Sequence, residues 1–278
     1  MYKNLYIIFT RRGINIDNYP SIKRYLTRYK KDLTPRNKNS KKNEPGRKPG
    51  SYKWYEIQDN VAYYSLFEKE KIIYSEITPE PRFYYDDEKH YMEATGFILS
   101  SSTLNLKYFL SLLNSKLLFW YFKDIGYNLG GKGFRYKKIF IEQLPIKFTN
   151  KNIELELINL VDIILDLNKT FVNEINNFHN ILFEDFNMFK ISNKLENYNV
   201  LDLNDFLKEI RKYGINVPNN LMKEKIISEF TLSCNRLKEI NFQIEETEKK
   251  LNNLVYNIYC LNDAEIKIIE ENIKILTK

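Results

Sequence analysis

From Ile226 to Leu261 the chain repeats apolar residues at a spacing that a long helix uses and few other structures can. Phe230, Leu237, Ile244, Leu251 and Ile258 follow one another every seven residues. Ile226, Ile240, Leu254 and Leu261 fill the partner positions, with Ser233 and Thr247 as polar exceptions. Upstream, Ile153, Leu157, Leu160, Ile164, Leu167, Phe171, Phe178 and Ile181 recur in steps of three and four, interrupted at Glu174. That pattern predicts a helix from a cap at Asn150 or Asn152 to about Phe186. A shorter helix over residues 204–213 is capped by Asp202 or Asn204 and ended by Gly214. The heptad helix begins near Pro218. Asn262 with Glu265 three residues on resembles a capping box for a last helix over residues 264–276. Two helices of about 35–40 residues, each with one apolar seam, favour an antiparallel hairpin about 50 Å long at about 1.5 Å per residue.

The first half follows other rules. Residues 5–10 (LYIIFT) form a short strand candidate, and Ser21 is placed to cap a helix over residues 22–31 with Ile22, Tyr25, Leu26 and Tyr29 on one face. Residues 34–51 are rich in Pro, Gly, Asn and Lys and carry no large apolar side chain, which predicts a mobile loop closed by Trp54 and Tyr55. Residues 71–77 have strand character. Residues 82–85 and 90–92 flank the polar run Asp86-Asp87-Glu88-Lys89 and read as a hairpin, and residues 96–99 form a further strand. Leu106, Phe109, Leu110, Leu113, Leu117 and Trp120 predict one helix over residues 106–122. It leads into a basic, glycine-rich turn (Gly130, Gly131, Lys132, Gly133, Phe134, Arg135, Tyr136, Lys137, Lys138), followed by a short apolar strand and Leu144-Pro145-Ile146. The whole reads as α+β: a mixed α/β domain over residues 1–149, followed by an all-helical, antiparallel coiled-coil-like spacer over residues 150–278.

Charge separates the two parts. Residues 1–150 hold 27 Lys and Arg against 15 Asp and Glu, and residues 151–278 hold 16 against 21. Within residues 20–53 there are 12 basic side chains and two acidic ones, Asp32 and Glu44. A field of one sign on one domain points to nucleic acid or an acidic membrane surface as partner. In the loop, Lys41, Lys42, Arg47, Lys48 and Lys53 are candidates for phosphate neutralisation. In the turn, the glycines let a backbone approach a polyanion, and Lys132, Lys137 and Lys138 can neutralise it. Arg135 can pair bidentately with guanine while Phe134 and Tyr136 hold the backbone. Arg82, at the start of the expected hairpin, is the second candidate for a base contact.

No apolar run approaches the roughly 20 residues that span a bilayer, and the N-terminus lacks the pattern of a secretory signal. Cys234 and Cys260 lie within the helical pattern and are expected as buried thiols. With His90 and His179 as the only histidines, a zinc site has no basis. These features suit a cytoplasmic protein.

Several segments in order resemble a known family. They are YIIFTRRGINIDNYPSIKRYL (6–26), SYKWYEI (51–57), FEKEKIIYSEI (67–77), PRFYYDDEKHY (81–91), FLSLLNSKLLFWYFK (109–123), GGKGFRYKKIFIEQLPI (130–146) and LVYNIYCLNDAEIKIIE (254–270). The most specific are LLNSKL with the downstream EQLPI, and LVYNIY followed by LNDAEIKIIE. Together they resemble the TaqI-like C-terminal specificity domain of type IIG restriction-modification enzymes and adenine-specific DNA methyltransferases. The resemblance implies a target recognition domain that reads a short double-stranded DNA sequence. A helical spacer follows it, and a methyltransferase or nuclease module is the partner, in the same polypeptide or as a separate subunit.

The chain departs from the full-length pattern. It has no Asn-Pro-Pro-Tyr or Asp-Pro-Pro-Tyr tetrapeptide and no glycine-rich loop after an N-terminal strand to hold S-adenosylmethionine. Asp263 with Glu265-Ile266-Lys267 superficially resembles a metal-nuclease motif but sits in a helix-capping context. No catalytic residue, cofactor or metal is therefore assigned to this chain, and S-adenosylmethionine and Mg2+ belong to the catalytic modules of the parent system. The chain reads as a fragment beginning at a domain boundary or as a free-standing specificity subunit. The alternative reading is an assembly subunit whose helical hairpin binds protein and whose basic half binds nucleic acid without sequence preference.

Overall fold

The computed structural model describes residues 6–41, 43–59, 61–92, 95–213 and 220–276. Packing groups the chain into two compact units, the smaller of residues 2–71 and 86–93, the larger of residues 72–85 and 94–278. Residue 150 lies inside the larger unit, so the boundary at 149/150 is not a break in packing.

The smaller unit has little regular structure. Its helices are α1 (Pro20–Thr27) and α2 (Lys30–Leu33), with short 3-10 turns at Ile16–Asn18 and Tyr64–Leu66. Pro20, whose φ is preset for a helix, opens α1, so Ser21 lies inside the first turn and does not cap it. The strand expected at residues 5–10 is not formed in the described part: Tyr6, Ile7 and Ile8 are exposed, while Phe9 packs on Tyr64 and Tyr91 and the Thr10 carbonyl accepts from Ile57 N at 2.8 Å. Glu56 is buried and accepts from Gly13 N and Lys53 N, each at 2.9 Å. Burial pushes this carboxyl up, but those two amides together with the charges of Lys53 and Arg12 leave it below its ordinary value.

The hairpin expected at residues 82–92 is replaced by a wrapped turn. The Lys71 ammonium is fully buried, pairs with Asp86 and donates to Phe67 O at 2.7 Å. Asp86 also receives His90 N at 3.0 Å and lies 2.5 Å from His90 Nδ1. The carboxylate takes the amides that a second strand would need, so residues 90–92 stay out of the sheet.

In the larger unit, β1 (Lys71–Ser75), β2 (Ile77–Thr78), β3 (Tyr84–Asp86) and β4 (Gly96–Leu99) precede α3 (Leu106–Leu113) and α4 (Lys116–Ile125). β5 (Tyr127–Asn128), a 3-10 turn at Gly130–Lys132, β6 (Phe134–Arg135) and α5 (Lys138–Ile141) follow. One sheet runs β3-β1-β4, with Ile72 opposite Leu99 in the antiparallel β1/β4 pair, and the other runs β2-β6-β5, antiparallel throughout. The single helix expected over residues 106–122 is broken at Asn114-Ser115. Asn114 turns to the strands, its Oδ1 accepting from Phe83 N at 3.0 Å and its Nδ2 donating to Phe83 O at 2.9 Å. Ser115 then caps α4 through Leu118 N. The apolar strand expected after the turn is the one-turn helix α5.

The remaining helices are α6 (Lys151–Glu184), capped by Asn150, α7 (Asn193–Glu196), α8 (Leu203–Arg211), capped by Asp202, α9 (Asn220–Ile258) and α10 (Asp263–Leu276). The capping box at Asn262 and Glu265 is formed, at 2.9 and 3.0 Å. α6 and α9 are antiparallel: Asp185 pairs with Lys225, Phe178 meets Phe230, and Glu174 accepts from Ser233 and contacts Arg236. The seam residues Phe230, Leu237, Leu251 and Ile258 are buried. Cys234 is buried, but Cys260 is exposed, because it leaves α9 in the left-handed region (φ 57°).

The hairpin is not closed by a plain turn. A helical cap holds its own core, with Phe178, Leu182, Leu195, Tyr198, Phe206, Ile210, Ile226 and Phe230 at its centre. The other end of the hairpin, with α10, shares one core with β1, α3 and α4. Among the described residues no helix is long and apolar enough to cross a membrane.

Candidate nucleic-acid interface

The smaller unit carries the charge. Residues 2–71 and 86–93 contain 18 Lys and Arg against 11 Asp and Glu, which is +7, while the rest of the chain holds 25 of each. The net charge of the whole protein therefore resides in a unit of fewer than 80 residues. Such a concentration of positive potential suits a polyanion.

Within that unit the loop 34–51 is folded on itself, against the mobile arm expected from composition. Arg36 N donates to Arg47 O at 3.0 Å and Arg47 N to Thr34 O at 3.1 Å. Gly46 closes this ladder with φ +113°, and a Cβ there would stand 2.6 Å from Thr34 O. Arg47 organises the loop from inside: Nε donates to Leu33 O at 2.7 Å, Nη2 to Trp54 O at 3.0 Å, and the guanidinium lies 4.8 Å from the Tyr52 ring centre. Two of the donors read from the sequence as phosphate contacts are thus used on carbonyls.

The other loop candidates face outward. Lys41 is exposed, as is Lys48, which lies 3.8 Å from an equally exposed Asp59. Such a pair is worth little in water and yields readily to a phosphate. Lys53 lies over the Tyr55 ring at 5.6 Å, and its hydrogen bond to Tyr55 raises the ammonium above its ordinary value. Lys42 lies outside the described residues. Cations outside the sequence-derived set are exposed along α1 as well, where Arg24 of the last turn and Arg28 at the C-cap sit one helical turn apart. Their i,i+4 spacing was the signal that could have singled them out.

The larger unit holds the glycine-rich turn, which presents less free charge than its composition suggests. Arg135 lies on the central strand β6, 35% exposed, with Nε 3.5 Å from Glu76 Oε1. Arg82 chelates Glu80 at 2.8 and 3.2 Å on the surface. Lys137 and Lys138 are exposed, and Lys138 lies 3.4 Å from Glu142. Tyr136 is not at the surface: it stacks on Phe122 at 4.2 Å, and burial pushes its hydroxyl above the ordinary range. Gly133 is required internally, with φ +98° and a would-be Cβ 2.6 Å from Thr78 O. For Lys132 only the backbone, in the 3-10 turn, is described.

Two family models match the chain. Residues 9–146 match the TaqI-like C-terminal specificity domain, and residues 150–255 match a domain of unknown function (DUF8810). The segment 9–146 belongs to the TaqI-like C-terminal specificity domain family.

Proposed function

We propose that this protein is the sequence-specific, double-stranded DNA-binding module of a restriction-modification system, directing an adenine methyltransferase or endonuclease to its recognition site. The family supports the coarser statement, a DNA-recognition role in restriction-modification systems. The observation that carries the reading is the confinement of the whole net charge, +7, to a unit that lies almost entirely within the matched segment. Lys41, Lys42, Lys48 and Lys53 provide phosphate contacts, and Arg135, Arg82, Lys132, Lys137 and Lys138 provide the second set, with Arg135 reading a base. Glu76 Oε1 stands 3.5 Å from Arg135 Nε without hydrogen-bonding it, and in this reading it gives way to guanine.

In this reading residues 1–149 recognise the target and residues 150–278 act as spacer and assembly element, docking a catalytic module that brings its own S-adenosylmethionine and Mg2+ in the cytoplasm. The test is selection of a random duplex pool by the full chain at low and at moderate salt. Enrichment of one short motif at both supports the proposal. Salt-sensitive retention without enrichment overturns sequence reading in favour of an assembly subunit with non-specific binding, and absence of retention overturns DNA binding altogether.

A further inference from the structure

Helix α1 is assembled against local stability. None of its eight residues is buried, no side chain caps its N-terminus, and no acidic residue lies in its first turn to meet the helix dipole. Ile22 and Leu26 are half-buried, so the helix leans on the unit by that face. Arg24 and Arg28 project from the opposite face at i,i+4, the spacing at which like charges repel. Both are exposed, and among the described residues neither has an ion-pair partner, whereas Lys23 beside them pairs with Asp17 at 2.5 Å. Tyr25 and Tyr29 lie edge to face, 5.6 Å between ring centres, and are 45% and 47% exposed, with Tyr19 48% exposed at the start of the helix. The helix dipole favours a cation at this end, but two guanidinium groups at i,i+4 still repel, and an anion beside them removes that repulsion.

We infer that the outer face of α1 is a DNA-backbone contact, with Arg24 and Arg28 each neutralising one phosphate of a duplex and the tyrosine hydroxyls bonding beside them. The occupant follows from charge: residues 20–53 hold 12 basic and two acidic side chains, so a polyanion is the complementary partner. The inference rests on the DNA-binding reading above and adds an element that the loop and the turn do not include.

The test compares the wild-type full chain, Arg24→Ala/Arg28→Ala and Arg24→Lys/Arg28→Lys on a mixed-sequence duplex across a salt series. Two lost phosphate contacts make the slope of log K against log salt shallower by about 1.8. Between about 50 and about 200 mM salt the wild type then loses about tenfold more affinity than the alanine pair. The lysine pair, which keeps the charges, retains the wild-type slope. Thermal midpoints without DNA are measured in parallel, and the alanine pair is expected to match or exceed the wild type. An unchanged slope in the alanine pair, or a clear fall in its midpoint, overturns the inference while leaving DNA binding intact. Failure of the wild type to bind the duplex at any salt removes the underlying reading and this inference with it.

Discussion

Replacing Arg47 by Ala decides whether the basic loop is built around that side chain or merely displays it. Two of its donors end on backbone carbonyls, Leu33 O and Trp54 O, and its guanidinium covers the Tyr52 ring. A hydrogen bond from a charged donor is worth about 1.5–3 kcal/mol net, and a cation over an aromatic ring about 0.5–1 kcal/mol at accessible sites. Leu33 and Trp54 are only half-buried, so water replaces part of what is lost, and a total of roughly 3 kcal/mol is the reasoned cost. Arg47→Lys keeps the charge but not the fork, and loses roughly half of that. The assay uses the two tryptophans, one in each unit. In a Trp120→Phe background, Trp54 fluorescence during urea unfolding reports the smaller unit alone. Arg47→Ala lowers that midpoint. Lys48→Ala leaves the midpoint in place and makes the DNA salt slope shallower by about 0.9. If Arg47→Ala behaved as Lys48→Ala does, the loop would not be organised by Arg47, and the contact assigned to it from the sequence would stand.

Three further outcomes follow from buried and half-buried groups. Lys71→Met leaves Asp86 charged and without its ammonium, which costs about 3–5 kcal/mol, and adding Asp86→Asn recovers part of the loss in thermal unfolding. Tyr136→Phe is close to neutral, because the buried hydroxyl has no hydrogen-bond partner among the described residues, whereas Tyr136→Ala costs about 3–5 kcal/mol in denaturant titration. Burial pushes the Glu270 carboxyl up, but its bonds to Lys116 (2.7 Å) and Tyr256 (2.9 Å), with the charges of Lys116 and Lys274, hold it below 4.5. A depressed folded-state value stabilises above pH 4.5 and is lost as the pH falls through the lower folded value, so Glu270→Gln flattens the acid limb of stability against pH.

What could be read in the sequence was local. The heptad at Phe230, Leu237, Leu251 and Ile258 and the capping box at Asn262 and Glu265 depend on residues within a turn or two, and the α+β class followed from such periods. The features misread depend on distant partners. The break at Asn114 requires the backbone of Phe83, 31 residues away, and the lost hairpin at residues 82–92 requires the Lys71 ammonium, 15 residues from Asp86. At the candidate site the sequence located the cations but not where their donors point. Arg47 turns inward because Leu33 O and Trp54 O stand unfilled by regular structure, and Tyr136 because Phe122 offers a parallel ring.

Sharing of the core makes the helices inseparable from the sheets of the larger unit. Leu157, Ile158 and Val161 of α6, Leu251, Val255, Tyr256 and Ile258 of α9, and Ile269 and Ile273 of α10 lie in one core with Ile72, Leu112, Leu118 and Phe122. Lys107 Nζ to Asp162 at 2.5 Å, Lys116 N to Asn252 Oδ1 at 2.8 Å and Tyr259 Oη to Pro145 O at 2.5 Å fasten the same base. A chain ending at residue 149 lacks all nine of those core side chains. At roughly 2–5 kcal/mol for each large apolar group lost, the deficit exceeds the roughly 5–15 kcal/mol that holds a domain together. Such a piece should fail to fold, whatever its charge could bind. The tip is different, because Phe178, Leu182, Phe206, Ile210 and Phe230 form a separate core. Joining Asn168 to Asn241 through a short flexible loop removes the tip and its core and keeps the base. The shortened protein should unfold cooperatively, retain duplex binding with an unaltered salt slope, and lose recruitment of a catalytic module if that module docks on the tip. Loss of cooperative unfolding in it, with a folded 1–149 piece, would show that the base does not depend on the shared core and that the helices are a free-standing spacer.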